Sequence, residues 1–96
     1  MAETLYRGYH DAFKMLDTFG FPLVMCMDEC EKKGFRVALD TFVFDAIKAG
    51  WSFEKAIAVV TEAVTEKYGM AFVNSERFAR FKPAIMNEIA DGALNR

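Results

Sequence analysis

The stretch Ser52-Phe53-Glu54-Lys55-Ala56-Ile57-Ala58-Val59-Val60-Thr61-Glu62-Ala63-Val64-Thr65-Glu66-Lys67-Tyr68-Gly69 decides how the rest of the chain is read. Phe53, Ala56, Ile57, Val60, Ala63, Val64 and Tyr68 recur at the three-and-four spacing that gathers them on one side of an α-helix. Glu54, Lys55, Thr61, Glu62, Thr65 and Glu66 fill the wet side. Ser52 offers a hydroxyl to the free N–H groups of the first turn, and Gly69 offers the backbone freedom that stops a helix. A single apolar stripe needs other elements to cover it.

Upstream, Asp40 reads as an N-cap, with Leu39 before it placed to pack on Phe44 as a hydrophobic staple. Phe42, Val43, Phe44, Ala46 and Ile47 then make a helix that is apolar nearly all round, as suits a central or interface helix. It ends at Gly50, and Trp51 is placed to fold back over the last turn. A further helix is expected from Pro22 to about Lys33, with Leu23, Cys26, Met27 and Cys30 inward and Lys32 and Lys33 completing its dipole. The first helix is expected from Thr4, its stripe being Leu5, Tyr9, Ala12, Phe13, Leu16 and Phe19. Arg7 and Asp11 are spaced to pair on its polar face, and Gly20 stops it.

Downstream, Ser75 caps a fifth segment containing Phe78, Phe81, Ile85 and Ile89, which Pro83 either kinks or divides into a separate last helix through Leu94. Residues 35–39 and 70–74 read as short extended pieces. Both follow a helix-ending glycine at the same spacing, Glu31-Lys32-Lys33-Gly34 before Asp40 and Glu66-Lys67-Tyr68-Gly69 before Ser75, so they could pair as a minimal two-stranded ribbon. The prediction is an all-α fold, one domain over residues 1–96. It is a compact bundle of five or six short helices with Phe13, Val43, Ile47, Ile57, Val60 and Val64 central.

Composition narrows the function classes. With 53% hydrophobic residues and a net charge of −2 the chain has the core formers to fold, and it carries no overall basic field. No run approaches the roughly 18–20 apolar residues of a membrane span, and residues 1–10 lack a secretory apolar run, so the expectation is a cytoplasmic protein with no membrane partner. His10 is the single histidine, which excludes any site needing two, and its polar-face neighbours Arg7, Lys14 and Asp17 include no nucleophile. Cys26 and Cys30, four apart on one helix, have no third cysteine to complete a metal site and read as small buried apolar residues. Nearby Asp28, Glu29 and Glu31 should raise a thiol pKa there. Phosphate-cradling glycine loops and paired carboxylates beside a predicted pocket are missing. The expectation is no enzyme, no cofactor and no metal. Met15, Met25, Met27, Met70 and Met86 read mainly as core filling.

The most suggestive cluster is Arg77-Phe78-Ala79-Arg80-Phe81-Lys82. On one helix, Arg77 and Arg80 would share a side and Phe78 and Phe81 another. Arg77, Arg80 and Lys82 are therefore candidates to hold phosphates or an acidic partner, with their stems along apolar surface. The plainer reading puts the two aromatics in the core and the cations in solvent.

Ala12-Phe13-Lys14 and Asp17-Thr18-Phe19-Gly20-Phe21-Pro22-Leu23 resemble a stretch common in alanyl-tRNA synthetases, and Lys33-Gly34, Val37 and Phe42 continue the likeness in register over residues 12–42. In that family the stretch lies in a helical region beyond the catalytic core and associated with tRNA recognition. The resemblance implies a scaffold and carries over no catalytic residue. Val24-Met25-Cys26 stands where the family usually has a polar Asp-Leu-Thr.

A 96-residue domain buries only about 60–65% of its chain surface, and ten phenylalanines, three tyrosines and a tryptophan should leave apolar area over. The leading expectation is a non-catalytic protein–protein interaction module: a small adaptor, regulator or inhibitor, of the kind phages and mobile elements encode, docking a second copy as a homodimer or another protein. The competing expectation is an RNA- or DNA-binding protein using residues 77–82.

Overall fold

Gly20 turns the chain left-handed (φ 68°), its N–H donating to the Leu16 carbonyl at 2.9 Å while that of Phe21 reaches Met15 at 3.0 Å. Pro22 follows at the cap position of the next helix, where a missing N–H costs nothing. This glycine-proline hinge makes the first helical hairpin. A computed structural model describes residues 8–95 of the chain. In it β1 (Gly8–Tyr9) leads to α1 (Ala12–Phe19) and α2 (Leu23–Lys32), then β2 (Arg36–Val37), α3 (Leu39–Lys48) and α4 (Phe53–Tyr68). The one-turn helices α5 (Met70–Val73) and α6 (Glu76–Ala79), α7 (Phe81–Ala90) and a 3-10 turn (Ala93–Asn95) complete it. The fold is all-α, with a radius of gyration of 12.9 Å, against about 12.5 Å for a compact chain of this length.

α4 is the pillar. Ser52 Oγ accepts from the Lys55 N–H at 3.1 Å, and Gly69, at φ 88°, closes the helix with its N–H on the Thr65 carbonyl. Ala56, Val60 and Val64 are sealed against Phe42, Val43 and Ala46 of α3, with Leu23, Cys26 and Met27 of α2 in the same core. Ile47 and Ile57, expected at the centre, are only half-buried, and Phe42 and Ala46 take that place. Phe13, Phe42 and Trp51 meet edge to face with ring centroids 5.3–6.3 Å apart, Trp51 having folded back with its N–H on the Ala46 carbonyl. Lys55 Nζ lies 4.2 Å over the indole.

Several expectations are corrected. Tyr9 belongs to a strand and not to the first helix, because β1 pairs in parallel with β2, Gly8 opposite Arg36 and Tyr9 opposite Val37. The proposed start at Thr4, with Leu5 and the Arg7–Asp11 pair, lies outside the described residues. The two-stranded ribbon exists, but residues 35–39 pair with β1 and not with 70–74. Residues 70–73 instead wind into α5, which sets Phe72 against Tyr68 at 5.2 Å and Phe78 at 5.8 Å. The repeated connection thus ends at its glycines. α3 starts at Leu39 with Ala38 as its cap, because the Ala38 N–H is drawn to the Tyr9 carbonyl at 3.0 Å. Asp40 therefore sits inside the first turn, where its charge suits the helix N-terminus, and Leu39 cannot act as a staple residue. The fifth segment breaks at Arg80, which leaves Pro83 in the first turn of α7, where proline is tolerated. Of the methionines, Met27 is buried, but Met25, Met70 and Met86 are about half exposed.

Candidate functional site

The end of α4 is anchored to α2 by a small polar network. Tyr68 Oη donates to Glu31 Oε2 at 2.5 Å, and Lys67 Nζ pairs with Glu31 Oε1 at 3.3 Å and with Asp28. These donors, the Tyr68 hydroxyl foremost, hold the Glu31 carboxyl below its usual pKa. Burial, and then the facing carboxylate, push the Tyr68 phenol up.

Beside this network opens a cleft of about 740 Å³ between β2, the ends of α2 and α4, and the α5–α7 arm. Met27, Val37, Leu39, Val64, Phe72, Phe78 and Phe81 give it an apolar lining, while Arg36, Arg77, Glu31 and Tyr68 bring polar ends. Phe35 and Tyr68 keep 43% and 45% of their surface in water, more than a sealed core would leave. Phe78 and Phe81 stack nearly parallel with centroids 5.8 Å apart, the helix break at Arg80 having aligned rings from two different helices.

Of the basic cluster, only Arg77 lines this cleft, with Phe78 and Phe81. Arg80 is turned to Glu76 at 3.2 Å, and Lys82 lies 3.7 Å from Glu54 and over the Phe53 ring. The three cations therefore do not share a face of one helix. Sequence reasoning missed Arg36, Phe35, Glu31 and Tyr68. An aromatic next to an arginine occurs at Phe35-Arg36 as it does at Arg77-Phe78, and that echo was the available signal.

The groups with intrinsic reactivity lie elsewhere. His10 Nδ1 is 3.0 Å from Thr41 Oγ1, and Cys26 and Cys30 are free and buried in α2. Burial foremost raises both thiols, Cys26 to about 11 with the neighbouring Cys30 adding to the rise, while the flanking Glu29 and Glu31 add a smaller push at Cys30 alone. Among the described residues no group of three or more His, Cys, Asp or Glu could hold a metal ion, and no helix is long and apolar enough to cross a membrane. A second groove, of about 550 Å³, runs between Leu16, Pro22, Trp51 and Val59 with Asp17, Glu62 and Glu66 along it. Comparison with protein families, with curated proteins and with solved structures finds no match for the chain.

Proposed function

We propose that the protein is a non-catalytic interaction module, a small adaptor, regulator or inhibitor, that docks a partner protein in the cleft between β2 and the α5–α7 arm. The observation that carries this reading is an apolar-lined cleft with half-exposed Phe35 and Tyr68 in it and Arg36 and Arg77 beside them. A concave apolar surface with a few convergent polar groups is the usual form of a binding site. Its polar groups serve recognition better than chemistry: Glu31 is kept ionised by its donors, and neither His10 nor a cysteine lines the cleft.

The test uses the full chain as bait in a lysate of its source cells, beside two variants. Phe35→Ala with Arg77→Glu alters the cleft at exposed positions, and Arg80→Ala with Lys82→Ala alters the remaining cations. The reading expects a defined set of proteins that survives nuclease treatment, persists with the second variant and is lost with the first. Capture that nuclease abolishes, or that falls steeply with salt, would transfer the site to nucleic acid. Light scattering of the pure chain shows whether the partner is a second copy.

A further inference from the structure

The charges around the cleft specify its occupant, and this step rests on the docking reading above. Arg36 and Arg77 line the same cleft, and among the described residues neither is ion-paired. Glu31, the one acidic residue in the lining, attracts Arg36 from a distance, but its two oxygens are engaged by Tyr68 and Lys67, so it occupies neither guanidinium fork. Lys67, Arg80 and Lys82 around them each already stand beside a carboxylate. Two guanidinium forks at an apolar-lined cleft match carboxylates, which they can bind through paired hydrogen bonds.

The backbone favours a peptide as the carrier of those carboxylates. The sheet consists of β1 and β2 alone among the described residues, so β2 has one edge without a strand. The Ala38 N–H points to β1, so the N–H and C=O of Val37 point to that open edge. Successive side chains of a strand alternate between faces, yet Phe35, Arg36 and Val37 all line the cleft, which places the cleft along the edge. An added peptide strand can hydrogen-bond there. A single-stranded nucleic acid would instead want a longer track of unpaired cations than two arginines supply.

We infer that the cleft takes an acidic peptide segment of the partner, an apolar side chain entering its aromatic lining while neighbouring carboxylates meet Arg36 and Arg77. The test titrates the full-length, isotopically labelled protein, followed by backbone amide spectra, with peptide pools of about ten residues, about 33 Å when extended. The pools scatter Leu and Phe among Glu, Gln or Lys, and an oligouridine of similar length is the nucleic-acid arm. The Glu pool should shift the amides of Phe35, Arg36, Val37 and Arg77 and bind about tenfold more tightly than the Gln pool. Arg36→Gln with Arg77→Gln should erase that advantage with the melting temperature unchanged. Equal binding of the Glu and Gln pools overturns the inference and leaves the docking reading standing. Tighter binding of the oligouridine at the same amides overturns it in favour of nucleic acid. If no pool and no oligonucleotide moves a cleft amide, the docking reading falls with it.

Discussion

Glu31 receives a hydrogen bond from a tyrosine 37 residues further along the chain, so that hydroxyl, beside the Lys67 ion pairs, ties the end of α4 to α2 at the edge of the cleft. Tyr68→Phe keeps the ring contact with Phe72 and removes only that donor. The variant should lose less than about 1 kcal/mol at neutral pH, since both side chains are partly in water. A carboxyl with a depressed pKa stabilises the fold above its unfolded value of about 4.3, and that contribution disappears as pH falls through the lower folded value. The gap between wild type and Tyr68→Phe should therefore be widest near neutrality and close in acid, which denaturant melts at a series of pH values will show. Cys26 behaves in the opposite sense. Its thiol is raised from an ordinary 9.0 to about 11 by burial, so the folded state holds a proton that the unfolded chain releases, and stability falls as pH climbs between those values. Cys26→Ala should have a lower plateau, from the space left behind, but a shallower alkaline decline. In the native protein the same thiol should resist alkylation at mildly alkaline pH until denaturant is added.

Helix ends offer sharper contrasts at the next scale up. Ser52 and Ser75 both cap with their hydroxyls, but Ser52 opens the sixteen residues of α4 while Ser75 opens a single turn that carries Arg77 into the cleft. Ser52→Ala should lower global stability by about 1 kcal/mol. Ser75→Ala should cost less in a melt and show instead as faster amide exchange at Phe78, because Ser75 Oγ also holds the Phe72 carbonyl at 2.5 Å and joins α5 to α6. Both caps were legible in the sequence, as were the stops at Gly20 and Gly69, because each rests on a local interaction that one residue type supplies. The starts of α1 and α3 were not. Tyr9 and Ala38 are set by their pairing with each other, about thirty residues apart in sequence, which no local spacing encodes. The α5 turn was hidden for a similar reason: Phe72 and Val73 favour strands in isolation, and packing of Phe72 between Tyr68 and Phe78 prevails. Arg77, Arg80 and Lys82 looked like neighbours on one helix, and the break at Arg80 gives each a different outlook.

For the molecule as a whole, stability rests on the junction of α3 and α4. Phe42 is 1% exposed and touches both Phe13 and Trp51, so Phe42→Ala should cost about 3–5 kcal/mol, a large part of the 5–15 kcal/mol typical of a small domain. The fluorescence of Trp51, the single tryptophan, reports that loss directly in an unfolding titration. The all-α class and most of the buried residues could be read from hydrophobic periodicity, since burial follows the helical stripe wherever a helix is long. The cleft could not, because its wall is assembled from seven elements and its key cations come from residues 36 and 77.

The pairing of Gly8–Tyr9 with Arg36–Val37 closes a loop between partners 28 positions apart with only two residues of ladder on each side. Closure of that length costs entropy early and returns few bonds, so this junction should zip up after the helices have docked and unzip before they part. Protons on the Ala38 amide would then trade with deuterium well ahead of those in α4, and the β2 edge of the cleft would soften while the bundle behind it stayed shut.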